Sequence, residues 1–229
     1  MKHHTDTRPK CLLEVGGKAL LDHQIESLKV AGIDEIAIVV GYRRELLGGR
    51  ALVEFLNPRW SETNMVSSLE CADDWLVEGP CIVSYSDIFY EPSGVRRLME
   101  STATLAVSHD PNWKDLWEKR FGDPLLDAET FQLNEKGEII EIGGKPKDLS
   151  EIQGQYMGLL RFTPHAWDEV KNIRNSLTPD QKDKMHMTGT LQLIIESGKI
   201  PVSAVEYLGR WGELDSEDDL LLFQDEAGF

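Results

Sequence analysis

Apolar residues at helical spacing come first along the chain: Leu21, Ile25 and Leu28 recur in "ALLDHQIESLKVAG" (19–32), with Gly32 placed to end a helix. "EIAIVV" (35–40) follows as a run of branched residues, the pattern of a strand buried on both faces. The alternation continues through an apolar stretch "ALVEFL" (51–56), a helix over 66–76, a strand "CIVSYS" (81–86), a helix around "SGVRRLMES" (93–101) and a strand "TLAVS" (104–108). After "NWKDLWEKR" the character changes. Residues 128–146 predict two short strands around a turn at Lys136 and Gly137, and "GQYMGLLRFT" (154–163) a third. Two helices (165–177 and 188–198), a strand near "PVSAVEYL" and a helix capped at Ser216, with Asp219 three residues on, complete the pattern. The expectation is a single α/β domain over 1–229, without repeat or linker, and with its ligands at the carboxyl ends of the strands.

Composition narrows the partners. The 24 Lys and Arg against 40 Asp and Glu give a net charge of −16, which argues against nonspecific attraction to nucleic acid or anionic lipid. Three cysteines (Cys11, Cys71, Cys81) lie in apolar surroundings without metal-ligand spacing, and read as reduced, packed thiols. No apolar run approaches the roughly 20 residues that span a bilayer, and no apolar leader opens the chain. These observations predict a cytoplasmic protein, and they are compatible with a homodimer.

Six histidines form no HExxH pattern or Cys/His cluster, and there is no GxSxG elbow, so zinc hydrolysis and serine acyl transfer lack support. Carboxylates carry more promise. Asp87 follows the "CIVSYS" strand directly, where a hard oxygen ligand suits Mg2+; taken alone, it reads more readily as a turn or cap aspartate. Asp215 in "RWGELDSEDDL" stands at the end of another candidate strand, and by itself reads more readily as a capping or surface acid. Lys10 in "RPKCLL" and Lys145 in "IGGKP" could each place a point charge on phosphate, or be a solvated lysine and a turn residue. Asn64 and Ser67, in "NPRWSETNMVSSL" (57–69), belong to a polar cluster larger than one helix cap needs. Trp113, Trp117, Asp127 and Glu129 combine aromatic faces with carboxylates, a chemistry suited to an ammonium group, although tryptophans on a helix are commonly core residues.

In this order, "RPKCLLEVGGKALLDHQIESLKVAGI", "NPRWSETNMVSSL", "SYSDIFY", "NEKGEIIEIGGKP" with "GQYMGLLRF", and "WGELDSEDDL" resemble the nucleotidyltransferases of the sugar-nucleotide and phosphocholine cytidylyltransferase type. "TNMVSSL", "DAETF" and "GELDSEDDL" look closest to the phosphocholine branch, which includes enzymes acting on aminoalkylphosphonates. The resemblance implies a Rossmann-like three-layer α/β/α sandwich with a mostly parallel mixed sheet and a small β extension. Residues 1–110 would form the nucleotide-binding half and 111–229 the acceptor-binding half. It implies transfer of CMP from CTP to phosphocholine or a similar phosphate or phosphonate, with release of pyrophosphate. Asp87 and Asp215 would hold Mg2+, Lys10 would neutralise the triphosphate, and Lys145 would hold the incoming phosphate. Arg8, Lys10, Asn64 and Ser67 would lie on the nucleotide, while Asp127, Glu129, Trp113 and Lys145 would receive the acceptor. A sugar-1-phosphate nucleotidylyltransferase and a noncatalytic nucleotide-binding module are the alternatives.

Members of that family begin with a strand and a glycine-rich loop around the triphosphate, whereas this chain opens "MKHHTDTRPK". The expectation is that the central first strand and its loop are missing. "EIAIVV" and "CIVSYS" would then have unpaired inner edges or be drawn together, and the chain would be less stable and less active than an extended one.

Overall fold

The computed structural model describes residues 5–50 and 52–224; residues 1–4, 225–229 and Ala51, which opens the "ALVEFL" stretch, lie outside them. A hairpin of β1 (Glu14–Val15) and β2 (Lys18–Ala19) leads into α1 (Leu20–Ala31). Gly32 ends that helix at φ 99°, a left-handed conformation that a residue without Cβ adopts freely. β3 (Ala37–Val40) and β4 (Val53–Leu56) then pair in parallel. The helix expected over 66–76 is two helices, α2 (Met65–Glu70) and α3 (Asp73–Glu78). The break has local causes. The N–H groups of Cys71 and Ala72 close onto carbonyls three residues back, tightening the turn. Asp73 and Asp74 then favour a new helix start, where acids meet the positive end of the helix dipole.

Next come β5 (Cys81–Ser84), β6 (Ile88–Tyr90), α4 (Pro92–Glu100), β7 (Leu105–Asp110) and α5 (Trp113–Phe121). The β8 (Phe131–Leu133) and β9 (Ile139–Ile142) hairpin turns at Lys136 and Gly137, as expected. β10 (Gln155–Phe162), α6 (Pro164–Asn175), α7 (Pro179–Lys184), α8 (Met187–Ser197), β11 (Val202–Glu206), β12 (Trp211–Glu213) and α9 (Glu217–Gln224) complete the described chain. The main sheet has the order β11-β7-β10-β5. β11 is parallel to β7, and β10 lies antiparallel between β7 and β5, so the other three strands share one direction. Among the described residues no strand joins β3 to β5, and the β3–β4 pair stands as a separate sheet.

Alternation along the central strands builds the layers. Leu105, Val107, Leu160 and Phe162 face a core completed by Trp167 and Val170 of α6 and Leu191 and Ile194 of α8. Ala106, Met157 and Leu159 face the opposite core, with Val95 and Leu98 of α4 and Trp113 and Trp117 of α5. The sheet is thus covered on both sides. Cys11 is buried, which pushes its thiol up to about 11, while Cys71 and Cys81 are half-buried, and all three are free thiols. No described helix is long and apolar enough to cross a membrane.

A small antiparallel pair, β6 with β12, sits beside this sandwich and matters most for the site. Its close contact depends on a glycine. A Cβ on Gly212 would lie 2.5 Å from the Phe223 ring and 2.6 Å from the Phe89 ring. Gly212→Ala is expected to cost about 1–3 kcal/mol through overpacking, read as a lower melting temperature. An unchanged melting temperature would show that the pair adjusts freely.

Candidate active site

The β6–β12 pair brings two distant strand ends together. Asp87 immediately precedes β6, Glu213 ends β12, and Leu214 N–H donates to the Asp87 carbonyl at 3.0 Å. Beyond β12 the backbone presents Asp215, and Ser216 caps α9: Asp219 N–H donates to Ser216 Oγ at 3.0 Å. Asp219 in return accepts from the N–H groups of Asp215 (2.9 Å) and Ser216 (2.8 Å), which fixes the loop carrying Asp215. On the other side, the short turn Lys10–Leu12 after Pro9 delivers Lys10.

Lys10, Asp87 and Asp215, the residues expected to act together, do meet. Lys10 Nζ donates to Asp87 Oδ2 at 2.8 Å and to Asp215 Oδ1 at 2.6 Å. Burial opposes the ammonium charge, but the two carboxylates outweigh it and hold its pKa above the ordinary lysine value. Glu213 joins them: one oxygen from each of Asp87, Glu213 and Asp215 lies within 4.8 Å of the others. Burial, with repulsion from Asp215 and Asp87, pushes the Glu213 carboxyl up to about 8. A cation in this cluster would relieve that repulsion.

Two observations test whether these residues fit a metal ion. The donors are all hard oxygens, as Mg2+ and Ca2+ require, and need only a small contraction to the roughly 3–4 Å spacing of oxygens around one octahedral Mg2+. Asp87 Oδ1 is buried with no hydrogen-bond partner, a condition ordinarily relieved by an ion or water. The residues fit.

Arg120 of α5 organises the far side of the cluster. Its side chain is fully buried, reaching Asp219 through Nε (2.8 Å) and Nη2 (3.3 Å), Asp215 Oδ2 (3.1 Å) and Glu213 Oε2 (3.5 Å). The rings of Trp117 and Phe121 lie 5.1 and 4.8 Å from its guanidinium carbon. Asp219 is also buried, yet Arg120 holds its carboxyl below the usual carboxylate range. Neither Glu213 nor Arg120 was singled out in the sequence. The spacing Glu-x-Asp at a strand end, which puts alternate side chains on one side, was the available clue to Glu213.

The other expected residues lie elsewhere. Asn64 caps α2, accepting from Met65 N–H at 2.7 Å, and its amide stands 3.2 Å from His186 Nδ1. Ser67 Oγ donates to the Lys182 carbonyl at 3.3 Å and accepts from Arg174 Nη2 at 2.8 Å, so it ties α2 to α6 and α7. Arg8 precedes Pro9, on the approach to Lys10, and is half-buried. Lys145 Nζ donates to the carbonyls of Leu125 (2.6 Å) and Leu126 (3.2 Å), on the turn that leads to Asp127. Trp113 corrects the expectation of an aromatic wall: it is 4% exposed and packs edge-on against Trp117 in the core. Burial raises the carboxyl pKa of Asp127, with Asp215 adding repulsion, although much of the residue stays open to solvent. Glu129 is raised for the same reason, with Asp127 adding repulsion and His186 and Thr188 opposing it. Asp127 and Glu129 thus form an acidic rim next to the Arg120 cluster.

Comparison with known proteins bears on the family and the fold. Residues 4–132 match the MobA-like NTP transferase domain. The chain is 38% identical over 232 residues to a CTP:phosphoglutamine cytidylyltransferase of Campylobacter jejuni, covering 94% of this chain and 91% of that one. It is 27% identical to a 2-aminoethylphosphonate cytidylyltransferase of Lancefieldella rimae, covering 72% and 68%. The inositol-1-phosphate CTP transferase of T. maritima superposes with a TM-score of 0.74 at 16% identity, over 99% of this chain and 91% of that one, which supports the three-layer fold. The chain belongs to the MobA-like NTP transferase family and is a nucleotidyltransferase.

Proposed function

We propose that the enzyme is a Mg2+-dependent cytidylyltransferase that transfers CMP from CTP to a small phosphorylated or phosphonylated acceptor bearing an amine. The observation that carries this reading is the meeting of Lys10 with three carboxylates, Asp87, Glu213 and Asp215. Similarity to two cytidylyltransferases, whose names give phosphoglutamine and 2-aminoethylphosphonate as acceptors, supports the nucleotide and the acceptor class.

In this reading an oxygen of the acceptor phosphate or phosphonate attacks the α-phosphorus of CTP in line. The bond to the bridging oxygen breaks, and pyrophosphate leaves. Such transfer requires positioning and charge neutralisation rather than a covalent intermediate. Mg2+ bound by Asp87, Glu213 and Asp215 would supply neutralisation of charge on the α-phosphate. Lys10 neutralises the triphosphate, and Arg120 keeps Glu213 and Asp215 aimed at the seat. The first half of the chain takes the nucleotide and the second half the acceptor. Lys145 stands beside the acidic rim, where turning from the Leu125 and Leu126 carbonyls would bring it to the acceptor phosphate. Asp127 and Glu129 receive the acceptor's ammonium group.

The test is pyrophosphate release with Mg2+, each of CTP, UTP, ATP, GTP and dTTP being offered with phosphoglutamine, 2-aminoethylphosphonate, phosphocholine and a set of sugar 1-phosphates. Release with CTP and an amine-bearing phosphate or phosphonate is the expected result. Release only with a sugar 1-phosphate would overturn the acceptor, and release without metal would overturn the role given to the carboxylates.

A further inference from the structure

Lys10 Nζ occupies the place between Asp87 and Asp215 that a bound cation would take, 2.8 and 2.6 Å from their oxygens. The cluster's other cation is built differently. Arg120 has a fully buried side chain, two bonds to the buried Asp219, and the adjacent rings of Trp117 and Phe121 close to its guanidinium. Lys10 has a side chain 28% exposed and stands on a turn of only three residues. Its ammonium ends a flexible four-carbon stem, so it can change partners by rotation alone. One cation is enclosed, and the other is partly open to solvent.

We propose that Lys10 is the resident counter-ion of the metal seat in the nucleotide-free enzyme and leaves it for the incoming triphosphate, so that divalent metal and nucleotide enter together. This rests on the reading of Asp87, Glu213 and Asp215 as the metal carboxylates. An ammonium and a divalent ion held at bonding distance from the same oxygens repel each other strongly, so the seat takes one cation at a time. A triphosphate offers Lys10 new negative partners, and the departing ammonium uncovers Asp87 Oδ2 and Asp215 Oδ1. The seat keeps its shape during the exchange because Asp215 is held through its other oxygen, Oδ2, by Arg120 at 3.1 Å. Without nucleotide the carboxylates remain neutralised by a side chain and bind free metal weakly.

The exchange is tested by titrating Mn2+ into the full chain without nucleotide and following the free ion by electron paramagnetic resonance. Wild type, Lys10→Met, Lys10→Gln and the double variant Lys10→Met with Asp87→Asn would be compared, with folding checked by circular dichroism. Each single variant is expected to bind Mn2+ at least tenfold more tightly than wild type, and Asp87→Asn should remove that gain. Equal or weaker binding by the Lys10 variants overturns the proposal, as does a gain that survives Asp87→Asn, since the ion would then sit elsewhere. Lys10→Gln keeps a polar chain of similar length and provides the test if Lys10→Met does not fold. Mg2+-dependent turnover of the wild type alongside unchanged Mn2+ affinity in both Lys10 variants would sink the exchange and leave metal-dependent transfer standing. Wild-type turnover independent of metal would instead sink the underlying reading.

Discussion

Asp87→Asn is expected to lower kcat for nucleotidyl transfer on the order of 10³-fold, the scale of losing one preorganised electrostatic partner of the transition state, with little change in melting temperature. The asymmetry follows from what Asp87 touches. Its Oδ1 has no hydrogen-bond partner, and its Oδ2 contacts Lys10 in a partly exposed pair of the kind that contributes only about 0–1 kcal/mol to stability. Asparagine keeps the volume and removes the charge. The Asp87 charge therefore adds little to the stability of the fold. Single-turnover measurement of CMP transfer, beside a thermal melt of the same sample, checks both halves. A loss under tenfold would remove Asp87 from the reacting machinery.

Arg120→Met should have the opposite profile, with stability suffering first. The substitution leaves Asp219 buried and ionised without its partner, at an expected cost of about 3–5 kcal/mol. For a chain of this size that corresponds to a fall in melting temperature of roughly 6–20 °C. Adding Asp219→Asn removes the stranded charge and should recover part of the loss, because the penalty lies in the unpaired group and not in the missing attraction. Differential scanning calorimetry of the single and double variants decides this. A fall under about 2 °C in the single variant would mean that the charge cluster contributes no net stability.

The parts of the fold that could be seen in the sequence are those whose physics is local. The α1 helix, the β3, β5 and β7 strands and the Ser216 cap each carry their periodicity or capping chemistry within a few residues. Asp87 and Asp215 were findable because strand ends are where a sheet presents ligands. What escaped was short or nonlocal. β6 and β12 have three residues each, too few to show a period of two. The break between α2 and α3 depends on turn geometry at Cys71 and Ala72, inside a stretch whose apolar spacing still suits one helix. Arg120 stands in "WEKRF", which reads as a solvated helix face, and its burial is set by acids 93 to 99 residues away. Trp113 shows the reverse. Its composition suggested a ligand wall, and its place in the core was decided by packing against α5 neighbours and the sheet.

The antiparallel β6–β12 contact gives the enzyme a particular order of assembly during synthesis. Lys10 and Asp215 are 205 residues apart in the chain, and Lys10 and Asp87 are 77 apart. Closing so long a loop adds little to the equilibrium cost, because loop entropy grows only logarithmically with length, but contacts of wide sequence separation slow folding. A nascent chain can therefore form the β5, β7 and β10 layer while its carboxylates remain scattered. Competence to hold an ion between these carboxylates would come last, after β12 has docked and α9 has closed over it.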